Sequence, residues 1–382
     1  MPAGRSAGCR LGPAPGNDSQ ASGFGRTFAK ASAPKSKSGR ADGICWRLLL
    51  TREGETDAFM TIANQSSPGA AAGPRRAARR WGRKLLRAWA RTCRAPGYLY
   101  YVVDRWGARL CPLPPEDSLL EARLPGGLRL RCDLLEEVQR QIYFLGVYEP
   151  IPAYLLTRYL QPGMIVIDAG ANAGQYTLLA AARVAPAGAV HSFEPVPALH
   201  ARLVRHLELN RLDGVHAVCA ALWHRHASVR LGLPQGVRGN SGAYSLGAAC
   251  AAIEARALTL DEYVARQALP RVDVIKMDIE GAEPYALEGA QRTLERHHPL
   301  VLIEINRQCL RALGSEPGAI WRILRACGYR AWLPGYAAES SRELHGLEGI
   351  EQSTLFFHHG PLPAALASGW NYRRVLRWAL GV

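Results

Sequence analysis

The 382-residue chain has no apolar run approaching the ~20 residues that a membrane-spanning helix needs. It has no C-x-x-C pair and no cysteine–histidine combination at zinc spacing, which sets aside zinc modules and thioredoxin-like redox pairs. Its nine cysteines, at 9, 45, 93, 111, 132, 219, 250, 309 and 327, are scattered and odd in number. With no recognisable signal peptide, they point to a reducing cytoplasm. Cys219 sits in an apolar run and reads as a small buried residue. No internal repeat is visible.

Charge of one sign is also missing from most of the chain. The net charge of +15 looks like a nucleic-acid signal until it is located. Residues 1–94 hold 18 Lys and Arg against 5 Asp and Glu, a balance of +13; the remainder has 29 against 27, or +2. The body is therefore nearly neutral, and no nucleic-acid substrate is implied for it.

Residues 1–75 are rich in Gly, Ala, Ser, Pro and Arg and read as disordered, with Met60 a plausible start of a shorter chain. Over 76–95, Trp81, Leu85 and Trp89 recur at i, i+4, i+8, with Leu86 and Ala90 beside them. Arg79, Arg80, Arg83, Lys84, Arg87 and Arg91 fill much of the rest. This is a basic amphipathic helix, either packed on the domain with its basic face in water or docked on an anionic membrane. Residues 96–160 read as strands over 98–104 and 119–132, the latter a hairpin turning at 124–128, and helices over 133–143 and 152–160.

Residues 161–360 alternate strands with helices. Strands are expected over 164–167, 189–193, 215–222, 272–277 and 300–305, with short final ones at 329–332 and 354–358. Helices are expected over 174–184, 198–209, 284–296 and 317–327, and 258–267 turns helical at Asp261. Residues 229–233 read as an additional strand and 239–249 as a Gly/Ser/Ala-rich loop. This order predicts an α/β fold with a mostly parallel sheet covered on both faces. The 361–382 tail mixes Trp370, Tyr372 and Trp378 with Arg373, Arg374 and Arg377; a packed terminal helix is preferred over a second surface anchor.

Within this frame, Ile165-Val166-Ile167-Asp168-Ala169-Gly170-Ala171-Asn172-Ala173-Gly174 is a β-branched strand ending in an acid and a glycine-rich turn, with a helix after it. The spacing is neither G-x-G-x-x-G nor G-x-x-x-x-G-K-[ST], and no lysine follows Gly174. An acid at the strand end repels a pyrophosphate but suits an ammonium or sulfonium, and S-adenosylmethionine is such a ligand. Glu194, 26 residues after Asp168, ends the next strand, where a carboxylate can accept from both hydroxyls of a ribose. Pro195 then turns the chain away. Lys276-Met277-Asp278-Ile279-Glu280-Gly281-Ala282-Glu283 crowds ionisable groups behind an apolar strand, with Lys276, Asp278 and Glu280 expected on one face of an extended segment. Glu283 reads as a solvent-facing helix residue. Glu304 and Asn306 end the following strand at the same sheet edge.

Residues 128–335 resemble the FkbM family of S-adenosylmethionine-dependent methyltransferases. The resemblance is carried by Gly146-Val147-Tyr148-Glu149, the 168–174 loop, Phe193-Glu194-Pro195, Asn210, Thr259-Leu260-Asp261, the 276–283 block, and Pro299 with Glu304. It implies a Rossmann-like class I methyltransferase fold, a mostly parallel seven-stranded sheet with an antiparallel final strand and helices on both faces, preceded by a small hairpin and helix extension. It also implies O-methylation of a sugar, glycan or natural-product hydroxyl. Carried over by position, Asp168, Gly170, Asn172 and Gly174 form the methionine-side loop, Glu194 with Pro195 serves the ribose, and Ala220 and Ala221 flank the adenine. Asp278 and Glu280 face the transferred methyl.

Asp278, Glu280 and Glu304 are the candidate bases, Asp278 preferred. Their spacing demands no metal. Two other readings stay open: an NAD-dependent Rossmann oxidoreductase, which shares the strand-end Glu, and a non-catalytic membrane-associated module. Basic, Trp-bearing ends would place an enzyme of this kind at the inner membrane face, beside lipid-linked glycans. Nothing in the sequence indicates an oligomeric state.

Overall fold

The structure, a computed structural model, describes residues 72–92, 103, 119–233, 245–246, 250–335 and 340–381. The 1–71 extension, the strand expected over 98–104 apart from buried Val103, and most of the 239–249 loop lie outside these residues. Helix α1 (Ala72–Thr92) starts four residues ahead of the expected 76, with Pro74 in a first turn that tolerates it. Strands β1 (Leu119–Arg123) and β2 (Arg129–Asp133) form the expected antiparallel hairpin, turning through Gly126 and Gly127 at φ 78 and 80. Helices α2 (Glu137–Leu145) and α3 (Pro150–Tyr159) follow.

The core begins with β3 (Ile165–Ala169), α4 (Gln175–Val184), β4 (Ala189–Phe193), α5 (Pro197–Asn210) and β5 (Val215–Val218). The strand expected over 215–222 is two strands. After Val218 the chain leaves the main sheet, and β6 (Ala221–Leu222) joins a separate sheet with β7 (Ala227–Leu233), β8 (Ser245–Leu246) and β9 (Cys250–Leu258), in the order β6-β9-β7-β8. Strand β9 escaped the sequence reading because its alanine-rich run has little intrinsic strand preference; pairing with β7 overrides that. Residues 245–246, expected in a loop, pair with β7.

The chain re-enters the core through α6 (Leu260–Arg266) and β10 (Val274–Met277). The helix expected over 284–296 is broken into α7 (Glu283–Glu288) and α8 (Gln291–His297). At the break, a Cβ on Gly289 would lie 2.2 Å from the Trp223 carbonyl oxygen, so glycine permits the close packing. Strand β11 (Leu300–Asn306), α9 (Arg307–Ala312), α10 (Pro317–Ala326), β12 (Tyr329–Pro334), β13 (Ser341–Leu344) and β14 (Gln352–His359) complete the domain. Two terminal helices follow, α11 (Ala364–Ala367) and α12 (Tyr372–Leu380).

The main sheet runs β13-β12-β14-β11-β10-β3-β4-β5, with β14 antiparallel to both neighbours. This is the class I methyltransferase order with an antiparallel strand slotted between two parallel ones. It has eight strands rather than the expected seven because β13 adds to the outer edge of β12. Alternation along the strands splits the core into two layers. Val166, Val190, Val274, Leu302 and Phe356 face α3 and α4, while Ile167, Ile275, Ile303 and Phe357 face α7, α8 and α10.

Pairing places Asp168 opposite both Ser192 on β4 and Lys276 on β10. At the other end of these strands Asp273 Oδ2 accepts from the Ile165 N–H at 2.8 Å, and its carbonyl accepts from the Leu300 N–H at 2.9 Å. The hairpin is pinned to the domain by Asn210, whose Oδ1 accepts from the Arg129 N–H and whose Nδ2 donates to the Arg129 carbonyl, each at 2.7 Å. The tail packs rather than projecting: Val375 and Ala379 of α12 are buried, and Trp378 meets Tyr154 of α3 at 5.4 Å between ring centroids.

Candidate active site

The carboxyl ends of β3, β4, β10 and β11 open onto a cavity of about 470 Å³, the position where open α/β sheets receive ligands. The glycine loop forms one wall. Gly170 has φ 76, and a Cβ there would fall 1.9 Å from the Asp278 carbonyl oxygen, so the loop crosses the β10 tip at a separation only glycine allows. Asn172, also left-handed at φ 50, accepts from the Ala173 N–H through Oδ1 at 2.6 Å. Gly174, at φ 97, caps α4, and no side chain among the described residues takes the free N–H groups of that helix terminus. Gly170 and Asn172 line the cavity; Gly174 shapes the turn behind it.

Asp168, expected to serve an ammonium directly or through water, is not among the residues that line the cavity. It is 1% exposed and lies beneath the loop, where Oδ2 accepts from the Thr177 hydroxyl at 2.6 Å and Oδ1 faces Lys276 Nζ at 3.6 Å. Lys276 links the two halves of the site. Its Nζ donates to the Gly170 carbonyl at 3.1 Å, lies 3.5 Å from Asp278 Oδ2, and sits 5.1 Å from the centre of the Tyr176 ring. Burial works against this ammonium, but Asp278, Asp168, Glu149 and Glu304 outweigh it, and its pKa is raised.

Glu194 lines the cavity at 4% exposure, its Oε2 accepting from the Asn172 N–H at 2.8 Å and its Oε1 from the Val196 N–H at 2.9 Å. Burial pushes its pKa up to about 7 despite those bonds. Pro195, Ala220 and Ala221 line the same end with Leu222 and Leu231. Cys219, expected to be buried, is exposed, because β5 is the edge strand and the chain turns outward after Val218.

At the opposite end, Asp278, Glu280 and Glu304 converge on the cavity. They do so through a turn rather than a continued strand: β10 stops at Met277, and Glu280 and Gly281 adopt φ 53 and 95. Glu304 hydrogen-bonds Asp278 and accepts from Gln352 Nε2 at 2.9 Å; burial and the Asp278 charge hold its pKa well above the carboxylate range. Burial and Asp278 also push Glu280 up to about 7, and the Cys309 thiol donates to it at 3.1 Å. Glu283 is not solvent-facing: at 2% exposure its Oε1 accepts from the Ile279 N–H at 2.9 Å, bracing the turn that presents Asp278. Among the described residues, no three His, Cys, Asp or Glu side chains are placed to hold a metal ion.

Two contributors had no assigned role in the sequence. Glu149, in a left-handed backbone at φ 49, accepts from the Tyr176 hydroxyl at 3.0 Å and from Thr354 Oγ1 at 2.6 Å; burial first, then Asp278, raises its pKa. A charged residue between Tyr148 and Pro150, in an otherwise apolar segment, was the available signal. Gln175 grips Tyr148 by both backbone groups, accepting from its N–H at 2.6 Å and donating to its carbonyl at 2.9 Å.

Residues 168–331 match the family described as the methyltransferase FkbM domain. Over 174 residues the chain is 26% identical to Methyltransferase 1 of Beauveria bassiana (strain ARSEF 2860), covering 41% of this chain and 67% of that protein. Over 160 residues it is 29% identical to 31-O-demethyl-FK506 methyltransferase FkbM of Streptomyces tacrolimicus, covering 35% of this chain and 61% of that protein. The chain thus spans about two thirds, or less, of these curated relatives. The crystal structure of a methyltransferase FkbM from Methylobacillus flagellatus KT aligns at 16% identity and a TM-score of 0.34, over 58% of this chain and 54% of that one. Residues 168–331, which supply much of the cavity just described, are thus similar to the methyltransferase FkbM domain.

Proposed function

We propose that the chain transfers a methyl group from S-adenosylmethionine to a hydroxyl oxygen of a sugar, glycan or natural product. The main support is a single cavity that gathers the glycine loop, Glu194 and the Asp278–Glu304 carboxyl pair. Its residues fit the donor. The uncapped N-terminus of α4 suits a carboxylate, Glu194 suits a vicinal diol, and Ala220, Ala221 and Leu222 offer an apolar bed for a purine. When bound, the donor supplies a sulfonium methyl carbon open to in-line attack. Asp168 acts at one remove, holding Thr177 and Lys276 in place.

The two carboxyls divide the acid–base work because Glu304 is buried against Asp278 while Asp278 lies beside Lys276. Glu304, kept protonated well above the usual range, donates to Asp278 and fixes its orientation. Asp278, beside Lys276 and partly open to the cavity, accepts the proton of the incoming hydroxyl as the new bond forms. Tyr148 and Glu280 line the walls beside this pair.

A nicotinamide-dependent reductase would share the strand-end Glu, but the loop lacks its glycine spacing and the domain match is to a methyltransferase. Titration calorimetry separates the two: heat is expected with S-adenosylhomocysteine and none with NAD. Asp278→Asn should retain that heat while radiolabelled methyl transfer into fractionated lysate disappears. Silence with S-adenosylhomocysteine would defeat the proposal, and lost affinity in the variant would move Asp278 into the binding shell.

A further inference from the structure

Helix α1 presents a face that methyl transfer does not use. Trp81 and Leu85, one turn apart, are 63% and 67% exposed, and Trp89 on the next turn is 37% exposed. The other side of the helix turns inward. Arg83 and Ala90 are buried, Leu86 packs on the core, and the Arg87 guanidinium lies 4.3 Å from the centre of the Tyr143 ring. Three of the four large apolar residues of this helix thus point outward, opposite to the arrangement of a helix whose only role is packing.

Cations flank that row. Arg80 and Lys84 are exposed, with Lys84 Nζ 5.0 Å from the Trp81 ring. Beside it runs a groove of about 880 Å³, walled by Lys84, Arg87 and Arg123 and by the Gly126-Gly127 hairpin turn. Its one acid among the described residues, Glu121, is paired with Arg129 at 3.8 Å, which leaves Lys84, Arg87 and Arg123 in excess there.

We propose that α1 and this groove dock on a bilayer containing anionic phospholipid. Trp81 and Leu85 enter the boundary between headgroups and acyl chains, and Lys84 and Arg123, both exposed, take lipid phosphates. A leucine set between two tryptophans favours lipid over nucleic acid, because Leu85 has no face on which a base can stack and no group to read one.

The test is sedimentation of the full chain with phosphatidylcholine vesicles and with vesicles that also contain phosphatidylglycerol. Binding is expected to the anionic vesicles only and to weaken with added salt. Trp81→Ala with Leu85→Ala, and separately Lys84→Glu, should each lower the partition coefficient by about tenfold or more at an unchanged melting temperature. Lys84→Glu alters only an exposed charge, so it keeps the test decisive if the double variant folds poorly. Equal binding to both vesicle types, or variants that bind like the parent, would overturn the proposal. It would also be overturned if the same substitutions abolished retention on structured RNA, or dissolved a dimer in solution, while vesicles bound nothing.

Discussion

Glu283→Gln should stabilise the ligand-free domain at neutral pH, and the size of the effect follows from one buried carboxyl. Glu283 is 2% exposed; Oε1 accepts from the Ile279 N–H, and Oε2 has no hydrogen-bond partner among the described residues. Burial raises its pKa from 4.5 to about 8. Because the folded value is the higher one, the protonated carboxyl favours the fold. That contribution is complete below about pH 4.5 and is lost as the pH rises through about 8. At about 1.4 kcal/mol per unit, the full loss is about 5 kcal/mol, of which about 3 kcal/mol has gone by neutral pH. Glutamine keeps the acceptor for Ile279 and has no charge to desolvate. Denaturant unfolding of the two proteins should therefore differ by under about 1 kcal/mol near pH 5 and by about 3 kcal/mol near pH 7. Burial holds His191 down at about 4 and also lowers His206 and His358, which gives the parent an opposite slope in acid. That slope is common to both proteins and cancels in the difference. Glu283→Ala is the control: it strands the Ile279 N–H, costs about 1–3 kcal/mol, and should offset most of the gain. A parent-to-Gln difference that stays flat between pH 5 and 8 would refute the reasoning.

Gly170→Ala should abolish S-adenosylhomocysteine binding, since it adds a carbon 1.9 Å from the Asp278 carbonyl oxygen at a backbone position of φ 76; calorimetry on protein shown by circular dichroism to be folded checks this. Asn210→Ala removes both bonds that hold the hairpin through Arg129 and should lower stability by about 1–3 kcal/mol, with hydrogen exchange accelerating first in β1 and β2. Dialysis against EDTA should leave methyl transfer unchanged, because the acids at the cavity are neutralised by Lys276, protons and hydrogen-bond donors.

The strand–loop–helix at Asp168, the strand-end Glu194 and the 276–283 block were legible because each is local. A β-branched run, a glycine break and a following helix lie within about 15 residues, the range over which periodicity speaks. What stayed hidden depends on partners far away in the chain. Glu149 and Thr354 are 205 residues apart and meet only because β14 inserts beside β11. Whether Asp168 faces the ligand or the core was not local either, since Thr177 and Lys276 approach it from separate elements. Cys219 misled for a related reason: its apolar neighbours suggested an interior strand, and only the sheet order makes β5 an edge. Alanine-rich β9 carried no periodic signal and owes its conformation to β7.

The pairing of Asp168 with Lys276 across β3 and β10 also bears on how the sheet assembles. Were β10 to slip by one residue, Ile275 or Met277 would stand where the ammonium belongs, and a carboxylate would be stranded in a dry layer. Breaking a buried ion pair in this way costs about 3–5 kcal/mol, enough to disfavour the shifted partner before loops or ligand have formed. These two charges therefore proofread the alignment of the central strands, and a chain that mispairs them loses its fold and its reaction centre together.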